Sequence, residues 1–226
     1  MVGRVGADDF GKSLVAALRN VGVDTSAVQT DSDHSTGIAM ITVEDSGENR
    51  ILIVAGANGQ VSKADVDAMR PILAEAKALV LQMEIPFTTI AYALDVAAEL
   101  GLLSVLNLAP AYPLSGEMIA KIGVLVLNES EANLLSGISV TDLDSAKAAC
   151  AALHARGAKT VIVTLGSQGA LLASPDEFIS VLAYPVEVVD TTAAGDAFTA
   201  GFVVSLLETG DHEKSLQYAN AVGALT

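Results

Sequence analysis

Beyond Asn58 the sequence alternates between helical periodicity and short, unbroken apolar runs. Helical spacing covers residues 63–76, 88–100, 116–121, 129–135 and 145–156, and the apolar runs lie at 78–82, 103–106, 124–127 and 160–164. A strand with one wet face alternates apolar and polar positions; these runs do not, so they read as strands covered on both faces. Strand and helix in turn, joined by short connections, predict an α/β fold with a doubly wound, mainly parallel sheet flanked by helices. In such a sheet, ligands gather at the carboxyl ends of the strands.

The first sixty residues follow another pattern. Asp8 and Asp9 are placed to cap a helix with Leu14, Val15, Leu18 and Val21 on one face, ended by Gly22. Two extended runs, 37–43 and 50–54, joined by a polar turn containing Gly47, predict a hairpin. Such a hairpin either closes a sheet or covers a site, so residues 35–57 are expected to form a small β lid. At the other end, an extended segment at 186–189 leads to Ala-rich helical patterns at 198–207 and 212–225. No fixed-period repeat, low-complexity tract or Pro/Ser-rich linker interrupts the chain, which predicts one domain over residues 1–226.

Composition narrows the function. The 226 residues, 51% of them hydrophobic, suffice for a well-buried core, and no apolar run reaches membrane-spanning length. The N-terminus has no apolar signal core, so a cytoplasmic location is expected. A net charge of −15 with only 12 Lys and Arg argues against nucleic acid as a partner. It leaves room for a small phosphorylated ligand held by backbone N–H groups and cations. The single Cys150 shares a stripe with Leu143, Ala146 and Leu153, which makes it a core residue. His34, His154 and His212 show no metal-ligand spacing and read as surface positions.

The densest chemistry lies at Asp190-Thr191-Thr192-Ala193-Ala194-Gly195-Asp196-Ala197-Phe198. Small residues at Ala193, Ala194 and Gly195 let the backbone approach a ligand, and a helix starting there would aim unpaired N–H groups at an anion. Asp196 then sits in the first turn, where it could take the proton of a hydroxyl beside an incoming phosphoryl group. The plainer alternative is that Asp190 or Asp196 caps the helix. Polar residues at strand ends are the other candidates. Glu84 and Asn107 each follow an apolar run, and Asn128 with Glu131 matches a capping box. Thr164, Gly166, Ser167 and Gly169 lie in a turn that is either an ordinary hairpin or a bare-amide loop. Asn220 interrupts the last apolar helix.

The D-T-T-A-A-G-D-A-F stretch resembles the second signature of the ribokinase-like (PfkB) carbohydrate kinases. Similar phrases recur in order: G-x-V-G-x-D-x-F-G at 3–11, A-G-A-N at 55–58, N-L-A-P-A at 107–111 with Leu108 in place of a proline, N-x-x-E at 128–131 and T-L-G-x-x-G at 164–169. The resemblance implies an ATP-dependent sugar kinase, with ribose the favoured acceptor and fructose, a keto-deoxy sugar acid or a nucleoside as alternatives. It implies Asp196 as catalytic base and the Ala193, Ala194 and Gly195 amides as anion hole. Glu84 is implied to bind sugar. Asn128, Thr164, Gly166, Ser167, Gly169, Gly195 and Asn220 are implied to bind nucleotide. Glu131 is implied to organise Mg²⁺ indirectly, and Asp190 and Thr192 to bind a monovalent cation, with K⁺ as a potential activator. A homodimer through the lid is a further expectation. Against the family pattern the chain is expected to lack a first strand, a glycine-rich sugar-binding helix and a C-terminal stretch. The rival expectation is therefore a truncated, inactive fragment that binds nucleotide or partners.

Overall fold

Gly6 sets the first close approach of the chain. A Cβ there would lie 2.4 Å from the Thr36 nitrogen, so only glycine admits the neighbouring segment. It ends β1 (Val2–Gly6), which pairs in parallel with β2 (Ala27–Asp31), Val2 opposite Ala27 and Gly6 opposite Asp31. Parallel neighbours need a crossover, and α1 (Asp9–Asn20) supplies it, capped by the Asp8 carboxylate that accepts the Gly11 N–H at 2.9 Å. The structure, a computed structural model, describes residues 1–43, 49–187 and 191–226. The predicted hairpin is present as β3 (Ile38–Val43) and β4 (Asn49–Val54), antiparallel with Ile38 opposite Val54; the turn between them lies outside the described residues. The helical pattern at 63–76 divides into α2 (Lys63–Ala68) and α3 (Arg70–Leu73), because Pro71 has no N–H to continue the α2 ladder. With the first half of α4 (Phe87–Glu99), these elements form one compact unit, residues 1–75 and 84–93.

The second unit, residues 76–83 and 94–226, holds the main sheet. Its strands are β5 (Ala78–Leu81), β6 (Leu103–Asn107), β7 (Val124–Leu127), β8 (Thr160–Thr164), β9 (Ala170–Ala173) and β10 (Phe178–Val181), in the spatial order β10-β9-β8-β7-β6-β5. Strands β5 to β8 run parallel, while β9 and β10 complete the sheet as an antiparallel meander. The helices are α5 (Gly116–Lys121), α6 (Glu129–Ser136), α7 (Leu143–Ala155), α8 (Ala194–Thr209) and α9 (His212–Leu225).

Strand alternation sends Ile162 and Leu172 into a cluster with Phe198, Phe202, Leu216 and Ala219 of α8 and α9. Val161, Val163 and Leu171, on the alternate positions, are fully buried too, and α7 buries Ala146, Ala149, Cys150 and Leu153. Both faces of the inner strands are thus covered, as their apolar runs required. β5 departs from that expectation: it is half-buried, with Val80 47% exposed. Helices α8 and α9 meet through Gly201, where an added Cβ would lie 3.2 Å from the Val222 side chain.

Candidate active site

Ala193 turns the chain into α8 through a left-handed conformation, φ +63°, which costs a residue with a Cβ about 1 kcal/mol. That turn is closed by the Ala194 N–H donating to the Thr191 carbonyl at 3.2 Å and the Ala197 N–H donating to the Ala193 carbonyl at 2.9 Å. Among the described residues, the N–H groups of Gly195 and Asp196 have no backbone acceptor, as the first turn of a helix dictates. The sixteen-residue α8 therefore presents two bare amides and its positive dipole end at this turn.

The Asp196 side chain is exposed and does not cap its own helix; the N-cap is Ala193, with no side-chain cap bond. Its Oδ1 instead accepts from the amides of two strand-end residues, Gln82 Nε2 at 3.2 Å and Asn107 Nδ2 at 3.5 Å. Gln82 follows β5 directly and Asn107 ends β6, so the carboxyl ends of adjacent parallel strands converge on the α8 carboxylate. Gln82 had no signal of its own in the sequence. It stands at the end of an apolar run, and only the strand-end rule, applied to every polar residue, would have marked it.

Asn128 and Glu131, at the end of β7, form the capping box: Asn128 Oδ1 accepts the Glu131 N–H at 2.9 Å and Glu131 Oε2 accepts the Asn128 N–H at 2.8 Å. Only 6% of Glu131 is exposed, and burial pushes its carboxyl above the usual range, partly offset by the Asn128 N–H. Residues 164–169 join β8 to β9. Thr164 donates its hydroxyl to the Leu127 carbonyl at 3.3 Å, the Leu165 N–H donates to the Gly169 carbonyl at 2.8 Å, and Ser167 is exposed. Gly166 is left-handed at φ +51°, and Gly169, at φ +97°, packs so tightly that a Cβ would lie 2.0 Å from the Val181 carbonyl. Asn220 of α9 meets the same segment, donating Nδ2 to the Leu182 carbonyl at 2.8 Å. The segment after β10 thus brings the Gly169 turn and Asn220 together.

Glu84 is exposed and belongs to the other unit, Thr192 is exposed, and Asp190 lies outside the described residues. In that first unit, Asp8 accepts from Gly11 N–H, from Thr36 N–H at 2.8 Å and from the Thr36 hydroxyl at 2.6 Å, which holds its carboxyl down at about 2. The A-G-A-N tetrapeptide opens a 3₁₀ turn rather than a plain loop. The Ala57 N–H donates to the Ser35 carbonyl at 2.8 Å, and Gly56, at φ +50°, leaves no room for a Cβ beside that carbonyl.

Two sequence readings need revision or gain a cause. His154 is not a solvated surface group: its Nδ1 lies 2.9 Å from the Ala158 carbonyl and its Nε2 is buried without a partner among the described residues. Cys150 is a buried free thiol, and burial pushes it up to about 12, far from the reactive thiolate range. Among the described residues no three His, Cys, Asp or Glu side chains gather to hold a metal, and no helix is long and apolar enough to cross a membrane. Glu131, whose Oε2 accepts the Asn128 N–H, is a carboxylate chemically suited to reach Mg²⁺ through water.

The family model for pfkB family carbohydrate kinases matches residues 1–226. The chain belongs to this family. A ribokinase of Schizosaccharomyces pombe is 41% identical over 230 residues, covering 100% of this chain and 72% of that protein. The structure of Arabidopsis thaliana ribokinase complexed with ribose and ATP superposes with a TM-score of 0.90 at 33% identity, over 99% of this chain and 74% of that one. An E. coli protein described as a ribokinase II, in complex with ATP and Mg²⁺, gives a TM-score of 0.82 at 27% identity, over 99% of this chain and 75% of that one. This pfkB-family chain is thus an ATP-dependent carbohydrate kinase by family, with the ribokinase fold.

Proposed function

We propose that this chain transfers the γ-phosphoryl group of ATP to the hydroxymethyl oxygen of ribose, giving ribose 5-phosphate and ADP. The observation that carries this reading is the exposed Asp196 carboxylate in the first turn of α8, beside the bare amides of Gly195 and Asp196. The substrate oxygen forms a bond to the γ-phosphorus as the bond from that phosphorus to the ADP oxygen breaks, and Asp196 takes the hydroxyl proton. Charge on the transferring group is met by the bare amides of Gly195 and Asp196, preorganised by the left-handed Ala193, rather than by the full Ala193–Gly195 set expected from the sequence, since the Ala194 N–H donates to the Thr191 carbonyl. Glu84, exposed and acceptor-only when ionised, holds sugar hydroxyls.

ATP lies along Asn128, Thr164, Gly166, Ser167, Gly169 and Asn220, residues that the chain gathers at strand ends and around the segment after β10. Glu131 is the residue that would reach Mg²⁺ through water, and the ion when bound screens phosphate charge. Asp190 and Thr192 are assigned to a monovalent cation, K⁺, as activator. The β3–β4 hairpin serves as the lid, and its exposed Met40, Leu52 and Ile53 suit a homodimer formed through it. The cytoplasm is the expected site of action.

The test is sugar-dependent ADP formation with Mg²⁺, with and without K⁺, using ribose, fructose, a keto-deoxy sugar acid and a nucleoside. Ribose should give the highest kcat/KM. Preference for another acceptor would reassign the sugar, and a folded chain that binds ATP but turns over none of them would be a nucleotide-binding protein instead.

A further inference from the structure

Building on the kinase reading, we propose that Gln82 and Asn107 are positioning residues that fix the Asp196 carboxylate for proton transfer. Both side-chain amides point at one oxygen, Oδ1, at 3.2 and 3.5 Å. Oδ2 has no protein partner among the described residues, so one oxygen is anchored from the sheet and the other is left to receive the proton. The anchors come from rigid elements: Gln82 directly follows β5, and Asn107, 7% exposed, ends the adjacent parallel strand β6.

The chemistry of the donors matters as much as their place. An amide N–H donates a hydrogen bond but neither gives up nor takes a proton near neutral pH, so neither residue competes with Asp196 as acid or base. Both are neutral. A lysine or arginine in their place would bind the carboxylate as an ion pair and oppose its protonation during turnover, whereas an amide orients it without that opposition. Loss of an anchor frees the carboxylate to rotate, and misplacement of a reacting group by about 1 Å can cost on the order of 10²-fold in rate.

Gln82 is exposed, so its replacement leaves the core intact and it is the informative site. Gln82→Met and the near-isosteric Gln82→Glu, which removes the donor and adds a like charge, should each lower kcat about 10-fold or more while KM for ribose and ATP changes less than about twofold. In an Asp196→Asn background the Gln82→Met change should alter the residual rate by less than about twofold, because the two residues act as a unit. A reading independent of turnover is the side-chain amide resonance of Gln82, followed by NMR in the free chain. It should move at pH 7 when Asp196 is replaced by Ala and stay fixed when the exposed, distant Glu177 is replaced by Gln.

A Gln82 amide resonance unmoved by Asp196→Ala overturns the proposal whether or not the chain phosphorylates ribose. Unchanged kcat in both Gln82 variants of an active parent overturns it as well, and so does an equal loss in the Asp196→Asn background, which would mark a merely structural role. A responsive amide in a parent without turnover supports the contact and sinks the kinase reading alone.

Discussion

Asp196 is held differently from the other carboxylates of the motifs. Asp8 spends both oxygens on Gly11 and Thr36, and buried Glu131 spends Oε2 on its own helix start, whereas exposed Asp196 is held through one oxygen by side chains from two strand ends. Replacing it by Asn keeps size and polarity but removes the proposed base. Asp196→Asn should lower kcat by on the order of 10²-fold or more with ATP affinity nearly unchanged, measured by steady-state kinetics and calorimetry. Near-parental turnover would exclude Asp196 as base. Glu131 poses a different question, because the capping box accounts for its position without any metal. Glu131→Gln retains an acceptor for the Asn128 N–H and removes a buried charge. It should leave stability at pH 7 equal or higher; if the carboxylate also serves magnesium, the same variant raises the Mg²⁺ concentration needed for half-maximal rate. A thermal melt and a Mg²⁺ titration separate the two roles.

At the scale of elements, legibility followed the strength of the local pattern. The strands buried on both faces, β6, β7 and β8, stood out as unbroken apolar runs, and the caps at Asp8 and Asn128 were readable from side-chain type and spacing. β1, Val-Gly-Arg-Val-Gly, and β2, Ala-Val-Gln-Thr-Asp, carry too few apolar residues to announce themselves; their pairing and the fit of Gly6 against Thr36 make them strands. β10 was missed because half of Phe-Ile-Ser-Val is exposed and its neighbours are irregular. The turn motifs were legible as chemistry but not as geometry: Gly169 is needed for a close approach to Val181, a contact between segments that no spacing reveals. Gly169→Ala should therefore destabilise the chain by about 3 kcal/mol, since it meets both a positive φ and a carbonyl at 2.0 Å. Urea denaturation checks this, and a loss below about 1 kcal/mol would show that the β9–β10 region yields readily.

Across the whole molecule, the most strongly depressed carboxyls lie in residues 1–75. In residues 1–75 the Asp8 and Asp31 carboxyls are lowered from 3.8 to about 2, Asp8 chiefly by the Thr36 hydroxyl and Asp31 chiefly by the Asp33 N–H. Asp65 is lowered too, through hydrogen bonds from Arg4 and Ser62 that outweigh its burial. A carboxyl with a depressed folded-state pKa contributes stability that is present above the unfolded value and lost as pH falls through the folded one, here between about 4 and 2. In the other unit the Ser145 hydroxyl and the Lys214 N–H lower Asp142 and Asp211 in the same sense, but Glu131 is raised by burial, so its contribution opposes theirs: it is favourable at low pH and lost as pH rises. Hydrogen exchange at pH 3 should show protection failing first in residues 1–75, and Asp8→Asn should flatten part of that acid response. Equal loss in both units would contradict this division. The motifs made the kinase chemistry visible from the sequence alone, but the partition into these units was not, because it depends on contacts between segments far apart in the chain.

The left-handed Ala193 also limits how this turn can change by mutation. Single-base changes in an alanine codon lead to Gly, Val, Thr, Ser, Pro, Asp or Glu. Val and Thr are β-branched and resist φ +63°, Pro cannot reach it, and Ser and Glu gain nothing over alanine. Asp tolerates the conformation but sets a negative charge where the proposed reaction seats a phosphate. Glycine alone relaxes the backbone without that charge, and it does so by loosening the amides that the strained alanine holds in place. The turn at Ala193 therefore has one unstrained, uncharged neighbour in sequence space, and the step to it trades fixed geometry for conformational freedom.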